Sequence, residues 1–363
     1  MKASCFIVTV ILFFGCSRQT ETHVKTPEQA TNVITYSKYL KIFKDKHGIK
    51  IHIFNPQSQK TTHLFLAKKQ LANIPSTYQF IQTPVSSLIT LSGTHIGMLS
   101  QLGSIKSISA VGDEQLIYNQ ELKKRISKGW VATLGQEGDL SVEMLLKSKS
   151  KTLVYSAFSG KLAIESKLKK IGIVAIPNFD WRETHPLGRA EWILLFGYLT
   201  GKQERAKKEF ADIVLQYKSI QNKSKSSQKV ALAGNVTGDF WYAPAGDSYN
   251  AKLLQDAGVN YIYKNSTGTG SLSLTLEQVF KKSDQVDLWL NPGFASKKLI
   301  LLNNPKAKYF SMFSKGEIYC YAQNMNRYWE MAAVQPHLLL SDLQQIIDSS
   351  LPNKKLHFYQ KVE

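Results

Sequence analysis

Two stretches of the chain are built to one plan. SVEMLLKSKSKTLVYS (Ser141 to Ser156) and TLEQVFKKSDQVDLWL (Thr275 to Leu290) align without a gap, each running from a hydroxyl residue through an apolar residue and Glu into a short apolar helix and then an apolar strand. MLSQLGSI (Met98 to Ile105) and LLQDAGVN (Leu253 to Asn260) form a second pair in the same order. A helix-to-strand unit that recurs at long range predicts two similarly constructed halves. The pairs are offset by 134 and 155 positions, so the loops between corresponding elements differ in length.

A chain of 363 residues, 43% hydrophobic, can bury two domain cores. Its first residues belong to neither. Met1-Lys2 is a minimal basic start, and Ala3 to Phe14 is an apolar run too short to span a bilayer but of the right length for a signal-peptide core. Gly15-Cys16 then resembles a bacterial lipoprotein cleavage site, after which Cys16 would carry lipid; simple secretion and an uncleaved anchor are the alternatives. Residues 1–15 are assigned to a signal peptide and 16–32, polar, aperiodic and holding Pro27, to a flexible tether. This leaves Cys320 alone in an exported domain, without an intrachain disulfide, in an apolar-aromatic run that reads as a buried strand. The net charge of +19 biases binding toward an anionic ligand or lipid surface; export and the scatter of the lysines disfavour nucleic acid.

Residues 33–183 read as a first lobe. Alternation in IKIHIF (Ile49 to Phe54), after the turn Lys46-His47-Gly48, predicts an antiparallel hairpin between Val33 and Phe65. Strand and helix then alternate: strands at 87–91, 105–111, 152–155 and 171–176, helices at 94–102, 142–147 and 160–170. Residues 223–363, a second lobe, repeat the cycle with strands at 229–233, 261–263 and 286–290 and helices at 249–256 and 276–282. Such alternation indicates α/β architecture with mostly parallel sheets covered by helices. Between the lobes, residues 184–222 carry a capping Thr184, Pro186 near a first turn, and Ala206, Phe210, Ile213, Val214 and Tyr217 at helical spacing, interrupted at Thr200-Gly201. One or two helices are expected to strut the lobes apart.

No metalloprotease, hydrolase, dinucleotide or phosphate-loop motif is present, so nothing marks a catalytic set. His95, His185 and His337 are the candidates for a bare metal site, although their spacing does not demand one. Aromatic and polar residues concentrate instead in segments that follow strands: NFDWRETHP after Ile176, NVTGDFWYAPAGDSY after Ala233, NPGF after Leu290 and YAQNMNRYWE after Cys320. Ligands of open α/β sheets bind beyond the carboxyl ends of strands. Trp181, Trp241, Tyr242 and Trp329 are therefore expected to face a cleft, with Arg182 and Arg327 pairing with an anionic, partly planar ligand.

Five stretches in order, LSGTHIGMLSQLG (91–103), PLGRAEWILLFGYLTGK (186–202), GDFWYAPAGDSYNAKLLQDAG (238–258), DLWLNPG (287–293) and RYWEMAAVQPHLLLSDL (327–343), resemble the ABC-transporter substrate-binding lipoproteins that capture ferric siderophores, haem or cobalamin. The resemblance implies two Rossmann-like lobes joined by a long interlobe helix, a monomer without catalysis or resident cofactor, a metal-chelate or corrinoid ligand between the lobes, and delivery to a permease dimer from a lipid-anchored, periplasm-facing position in the cell envelope. It adds Thr94 to the ligand-binding candidates. It also gives the repeated unit a use, because members carry one surface glutamate on each lobe for the permease, and Glu143 and Glu277 occupy the matching helix starts. In Thr275-Leu276-Glu277-Gln278 the capping-box position falls to Gln278, which leaves Glu277 free. The rival readings are a zinc or manganese carrier using His95 and His185, an envelope enzyme on the same scaffold, and a structural lipoprotein.

Overall fold

The computed structural model of the protein describes residues 31–158, 160–348, 350–351 and 355–363. The signal segment, Cys16 and nearly all of the tether lie outside them.

The alternating N-terminal pattern folds as expected and then goes further. β1 (Leu40–Asp45) and β2 (Gly48–Asn55) form the antiparallel hairpin, with Ile51 and Ile53 turned inward and Lys50 and His52 on the other face. β3 (Lys60–Ala67) pairs antiparallel with β2, and β4 (Gln79–Gln82) lies parallel to β3, so the hairpin is half of a four-stranded sheet. The last strand pairs through a loop with no periodicity to announce it.

The first lobe comprises β5 (Leu88–Thr90), α1 (Gly93–Gln101), β6 (Ile108–Val111), α2 (Gln120–Ser127), β7 (Ala132–Thr133), α3 (Val142–Lys147), β8 (Thr152–Tyr155), α4 (Glu165–Lys170) and β9 (Val174–Pro177). Its strands are parallel, in the order β7-β6-β5-β8-β9. The expected strand at 105–111 opens with a 3-10 turn over Ile105–Ser107, and the expected helix at 160–170 begins only at Glu165.

The joining segment is α5 (Pro186–Glu191), α6 (Ile193–Thr200) and α7 (Gln203–Gln221), not one long helix. Pro186 stands at the N-terminus of α5, where its missing N–H costs nothing, and Gly201 ends α6 in the left-handed conformation (φ 69°). α6 is apolar on every side and is buried from Ile193 to Leu199.

The second lobe follows: β10 (Val230–Ala233), β11 (Asn235–Thr237), β12 (Phe240–Pro244), α8 (Tyr249–Asp256), β13 (Asn260–Tyr261), β14 (Ser271–Thr275), α9 (Leu276–Phe280), β15 (Leu288–Leu290), α10 (Lys297–Asn303), α11 (Ser311–Ser314), β16 (Glu317–Cys320), α12 (Met325–Met331), α13 (Pro336–Ile347) and β17 (Gln360–Lys361). Its main sheet has the order β13-β10-β15-β16-β17, parallel except for β17. Counting from the first strand of each lobe, β5, β6, β8 and β9 correspond to β10, β13, β15 and β16. The sequence repeats are thus topological equivalents: α1 with α8, each closed by a glycine at positive φ (Gly103, 65°; Gly258, 83°), and α3 with α9 ahead of β8 and β15. The second lobe alone has an inserted antiparallel sheet, β11-β12-β14.

One hydrophobic cluster runs from the N-terminal sheet through the first lobe and joining helices to the inner side of the second lobe; another, around Trp241, Trp289 and Phe310, belongs to the second lobe alone. Buried carboxylates tie the parts together by collecting backbone N–H groups. Glu191 accepts from Thr35, Tyr36 and Ser37, each at 2.7 Å, and Glu183 from Lys38 at 2.9 Å and from the Trp192 indole at 2.9 Å. Glu330 holds Tyr118 and Asn119 in the same way, and Asp342 holds His357, Phe358 and Tyr359. Such bonds make the burial of a carboxylate tolerable, although at Glu330 both go to Oε1 and Oε2 has no partner among the described residues.

Candidate functional site

The carboxyl ends of both parallel sheets point into one cavity of 620 Å³. It is lined by loops that follow β5 (Leu91 to Thr94), β8 (Ser156, Phe158), β9 (Asp180, Trp181), β10 (Gly234, Asn235), β15 (Asn291) and β16 (Tyr321). That size lies within the range of about 300–1,000 Å³ typical of small-molecule sites, and the location follows the rule for open α/β sheets.

Two rim residues hold left-handed backbone without being glycine: Ala157 (φ 49°) after β8 and Asn291 (φ 61°) after β15. They are separated by the offset of the first sequence repeat. Such conformations cost energy and persist only where the surroundings impose them. On the first lobe the imposing group is Glu137, whose carboxylate accepts the Ser156 N–H at 2.9 Å and whose pKa burial raises. Phe158, 60% exposed, is thereby held out against the face of Trp181, 4.9 Å between ring centroids.

Aromatic rings make the walls. The Trp181 indole donates to the Ser156 carbonyl at 2.7 Å, which fixes its plane. Across the cavity, Tyr321 and Tyr328 stack at 3.6 Å with 3° between their planes, Trp329 stands edge-on to Tyr328 at 5.2 Å, and Tyr359 stands edge-on to Tyr321 at 6.0 Å. Burial drives the phenol pKa values of Tyr321, Tyr328 and Tyr359 upward, so these groups stay neutral.

The charge in the cavity is a buried pair. Arg189 donates through Nε to Asp180 Oδ2 at 3.0 Å, through Nη1 to the Tyr249 hydroxyl at 2.9 Å and through Nη2 to Thr94 Oγ1 at 3.2 Å. Both partners are nearly inaccessible.

Four of the expected ligand-binding residues meet at this cavity: Thr94, Trp181, Tyr242 and Trp329. Three do not line it. Trp241 lies on β12, where successive side chains face opposite sides; Tyr242 turns to the cavity, 40% exposed, and Trp241 is fully buried against Trp289 at 5.2 Å and Phe310 at 5.8 Å. The segment expected as an aromatic loop is thus a hairpin, and period two splits the pair. Arg327 points away, its guanidinium bonded to the His357 carbonyl and stacked 4.8 Å from Phe358. Arg182 lies over the Trp181 ring at 4.8 Å, with its Nε buried and unbonded among the described residues. Arg189, Asp180, Tyr249, Tyr321 and Tyr328 were not singled out beforehand, although two charged residues, Arg189 and Glu191, inside the mostly apolar PLGRAEWILLF were a usable signal.

The three candidate histidines sit in separate surroundings. His95 is fully buried against Thr90 and Phe196, and burial pushes its pKa down to about 4; His337 is likewise driven to about 4 by burial, with His357 adding to it. His185 caps α5 by accepting the Leu187 N–H at 3.0 Å. Among the described residues no three His, Cys, Asp or Glu side chains gather as a metal site. Glu143 and Glu277 are fully exposed at the starts of α3 and α9; Glu143 pairs with Lys147 at 2.7 Å, and Gln278 completes the capping box with Thr275. Cys320 is a buried strand residue.

Two equivalent α/β lobes joined by helices, with a ligand-sized cavity where their strand ends face each other, define a solute-binding protein. The model of the periplasmic binding protein family matches residues 88–301, more than half of the chain, and the protein belongs to that family, which is one of solute-binding proteins and not of enzymes. An uncharacterized lipoprotein of Methanocaldococcus jannaschii is 24% identical over 98% of this chain and 94% of its own length. A periplasmic haem-binding protein of Vibrio cholerae superposes with a TM-score of 0.56 at 16% identity, covering 73% of this chain and 99% of that one. The periplasmic vitamin B12-binding protein of the same organism gives 0.53 at 11% identity, over 73% and 97%. At such identities these two structures speak for the fold alone.

Proposed function

We propose that this chain is the substrate-binding component of an ABC importer, capturing an iron chelate, haem or a corrinoid in the cleft and delivering it to a membrane permease. The observation that carries the reading is the aromatic-walled 620 Å³ cavity formed by strand ends of both lobes. A bulky, flat-faced ligand buries its rings against Trp181, Tyr242 and Trp329 while backbone and hydroxyl groups orient it. The continuous hydrophobic cluster across the joining helices supports a largely preformed cleft, and preorganisation raises affinity by reducing what must be ordered on binding. Tryptophan fluorescence titrated with ferric siderophores, haemin and cyanocobalamin tests this; a folded protein that responds to none of them is not such a carrier.

The proposed site of action is the cell envelope, with Cys16 as the lipid anchor. Among the described residues no helix is long and apolar enough to cross a membrane. Glu143 and Glu277 are proposed to meet the permease. Each starts one of the two equivalent helices and each is followed three residues on by an exposed apolar side chain, Leu146 at 56% and Phe280 at 53%, so one motif is presented once per lobe to a partner with two like halves. Replacing both glutamates by alanine is expected to abolish uptake with ligand affinity unchanged, whereas undiminished uptake would remove the assignment.

A further inference from the structure

The balance of charge inside the cleft differs from that of the chain as a whole. The protein carries a net charge of +19, yet of the described residues that line the cavity only Asp180 and Arg189 are charged, and they are charges of opposite sign on each other. All three guanidinium nitrogens of Arg189 already donate to protein acceptors. Among the described residues no lysine and no histidine lines the cavity. Directly behind the walls stand two further carboxylates: Glu137, bonded to the Ser156 N–H, and Glu330, whose side chain comes within 3.5 Å of where a Cβ on Gly93 would lie. Arg182, stacked 4.8 Å from the Trp181 ring, is not among the lining residues and stands behind the wall, its Nη1 3.9 Å from where a Cβ on Gly270 would lie.

We infer that the cleft selects ligands whose buried portion has no net charge, such as a neutral trihydroxamate iron chelate or a corrinoid, over anionic ones such as haem with its propionates or a tris-catecholate iron chelate. This rests on the cleft being the ligand site. The physical reason is desolvation. An anionic group entering a water-poor, aromatic-walled space loses its hydration, and the only guanidinium there is already neutralised. A neutral ligand gives up less hydration and keeps the ring stacking and the hydrogen bonds of Asn235, Asn250 and the tyrosine hydroxyls, which are compatible with uncharged amide and hydroxyl groups. The raised phenol pKa values described above act in the same direction, since they keep the tyrosines as neutral donors.

The experiment is a set of titrations of the folded full chain, by tryptophan quenching and calorimetry, with cyanocobalamin, ferrichrome, haemin and ferric enterobactin. At least one of the two neutral probes is expected to bind roughly a hundredfold more tightly than either anionic probe, the preference that an unpaired buried anion costing a few kcal/mol would produce. That affinity should change little between low and high salt. A Tyr242→Arg variant places a free cation on the exposed cavity wall and should narrow the gap by raising the affinity for the anionic probes. An anionic probe that binds as tightly as the neutral ones, or more tightly, overturns the inference and leaves the proposed carrier function standing; if that affinity is lost in Arg182→Gln, the responsible cation is identified as well. Binding of none of the four overturns the carrier reading itself.

Discussion

The two lobes share one strand order and divide the labour differently. Each has its first strand inside the sheet, a glycine-closed helix after it, and a left-handed residue after the third of the four corresponding strands, β8 and β15. The first lobe, though, is continuous with the N-terminal sheet and joining helices through a single apolar cluster, while the second keeps a cluster of its own and adds the β11-β12-β14 sheet. Equivalent helices have also acquired unlike environments. His95 of α1 is buried against Thr90 and Phe196 and Gly97 is buried beneath α12, whereas their counterparts on α8, Asn250 and Lys252, are half-exposed. The shared plan thus keeps the backbone frame, and the lobes differ in the surroundings of corresponding residues.

The independence of the second cluster is the easiest difference to break. Trp241→Ala removes its largest buried side chain and should cost about 3–5 kcal/mol, measured as a loss in the urea midpoint. A cost below about 1 kcal/mol would mean that this cluster does not support the lobe.

A pH experiment sharpens the contrast between α1 and α8. His95 is held near pKa 4 by burial, below the value of about 6.5 in an unfolded chain, so the unfolded state takes up the proton first. Stability from this group is therefore complete above pH about 6.5, falls as pH drops toward 4, and levels off below it. His95→Asn, which installs the residue used at the equivalent position of α8, should flatten the decline relative to the parent chain by at most about 3 kcal/mol. Parallel curves for the two proteins would show that His95 is not titrating as described.

Gly97 tests the closeness of the lobes. A Cβ there would lie 1.6 Å from the Glu330 carbonyl oxygen on α12, so Gly97→Ala must push α12 away at a cost of about 1–3 kcal/mol. Tyr328 and Trp329 move with that helix, so weaker ligand binding should accompany the loss. Lys252→Ala, the equivalent site on α8, should leave ligand affinity nearly unchanged, its own stability cost arising from the lost 2.7 Å ion pair with the buried Asp256 carboxylate.

The smallest effect expected on stability is that of Ala157→Gly. Relief of left-handed strain, about 1 kcal/mol, and the greater chain entropy of glycine, about 0.5–1 kcal/mol, nearly cancel. Affinity should nonetheless fall severalfold, because Phe158 is no longer held against Trp181. Unchanged affinity would show that the strained turn has no part in shaping the cleft.

Much of this frame was legible beforehand. Periodicity located α3, β8 and α8 at their observed bounds, and the two repeats identified which elements correspond. Local patterns fix such features because a helix face or a strand is decided by neighbours a few residues away. The N-terminal sheet was half visible: β1 and β2 alternate and share a tight turn, but β4 joins through a parallel pairing that leaves no local trace.

The sequence alone determined that the chain holds two like α/β halves, joined by helices, with aromatic residues in the segments that follow strands. Only the tertiary structure decided which aromatics face the cleft and what charge they surround. Trp241 and Tyr242 are adjacent in sequence and share the same chemistry on paper, but strand alternation sends one into the core and the other to the ligand site. Arg189 and Asp180 are nine residues apart and carry no signature as a pair, yet the turn between β9 and α5 brings them to 3.0 Å and cancels the charge that the arginines of this chain led one to expect there. Long-range packing sets those distances, and no local pattern encodes it.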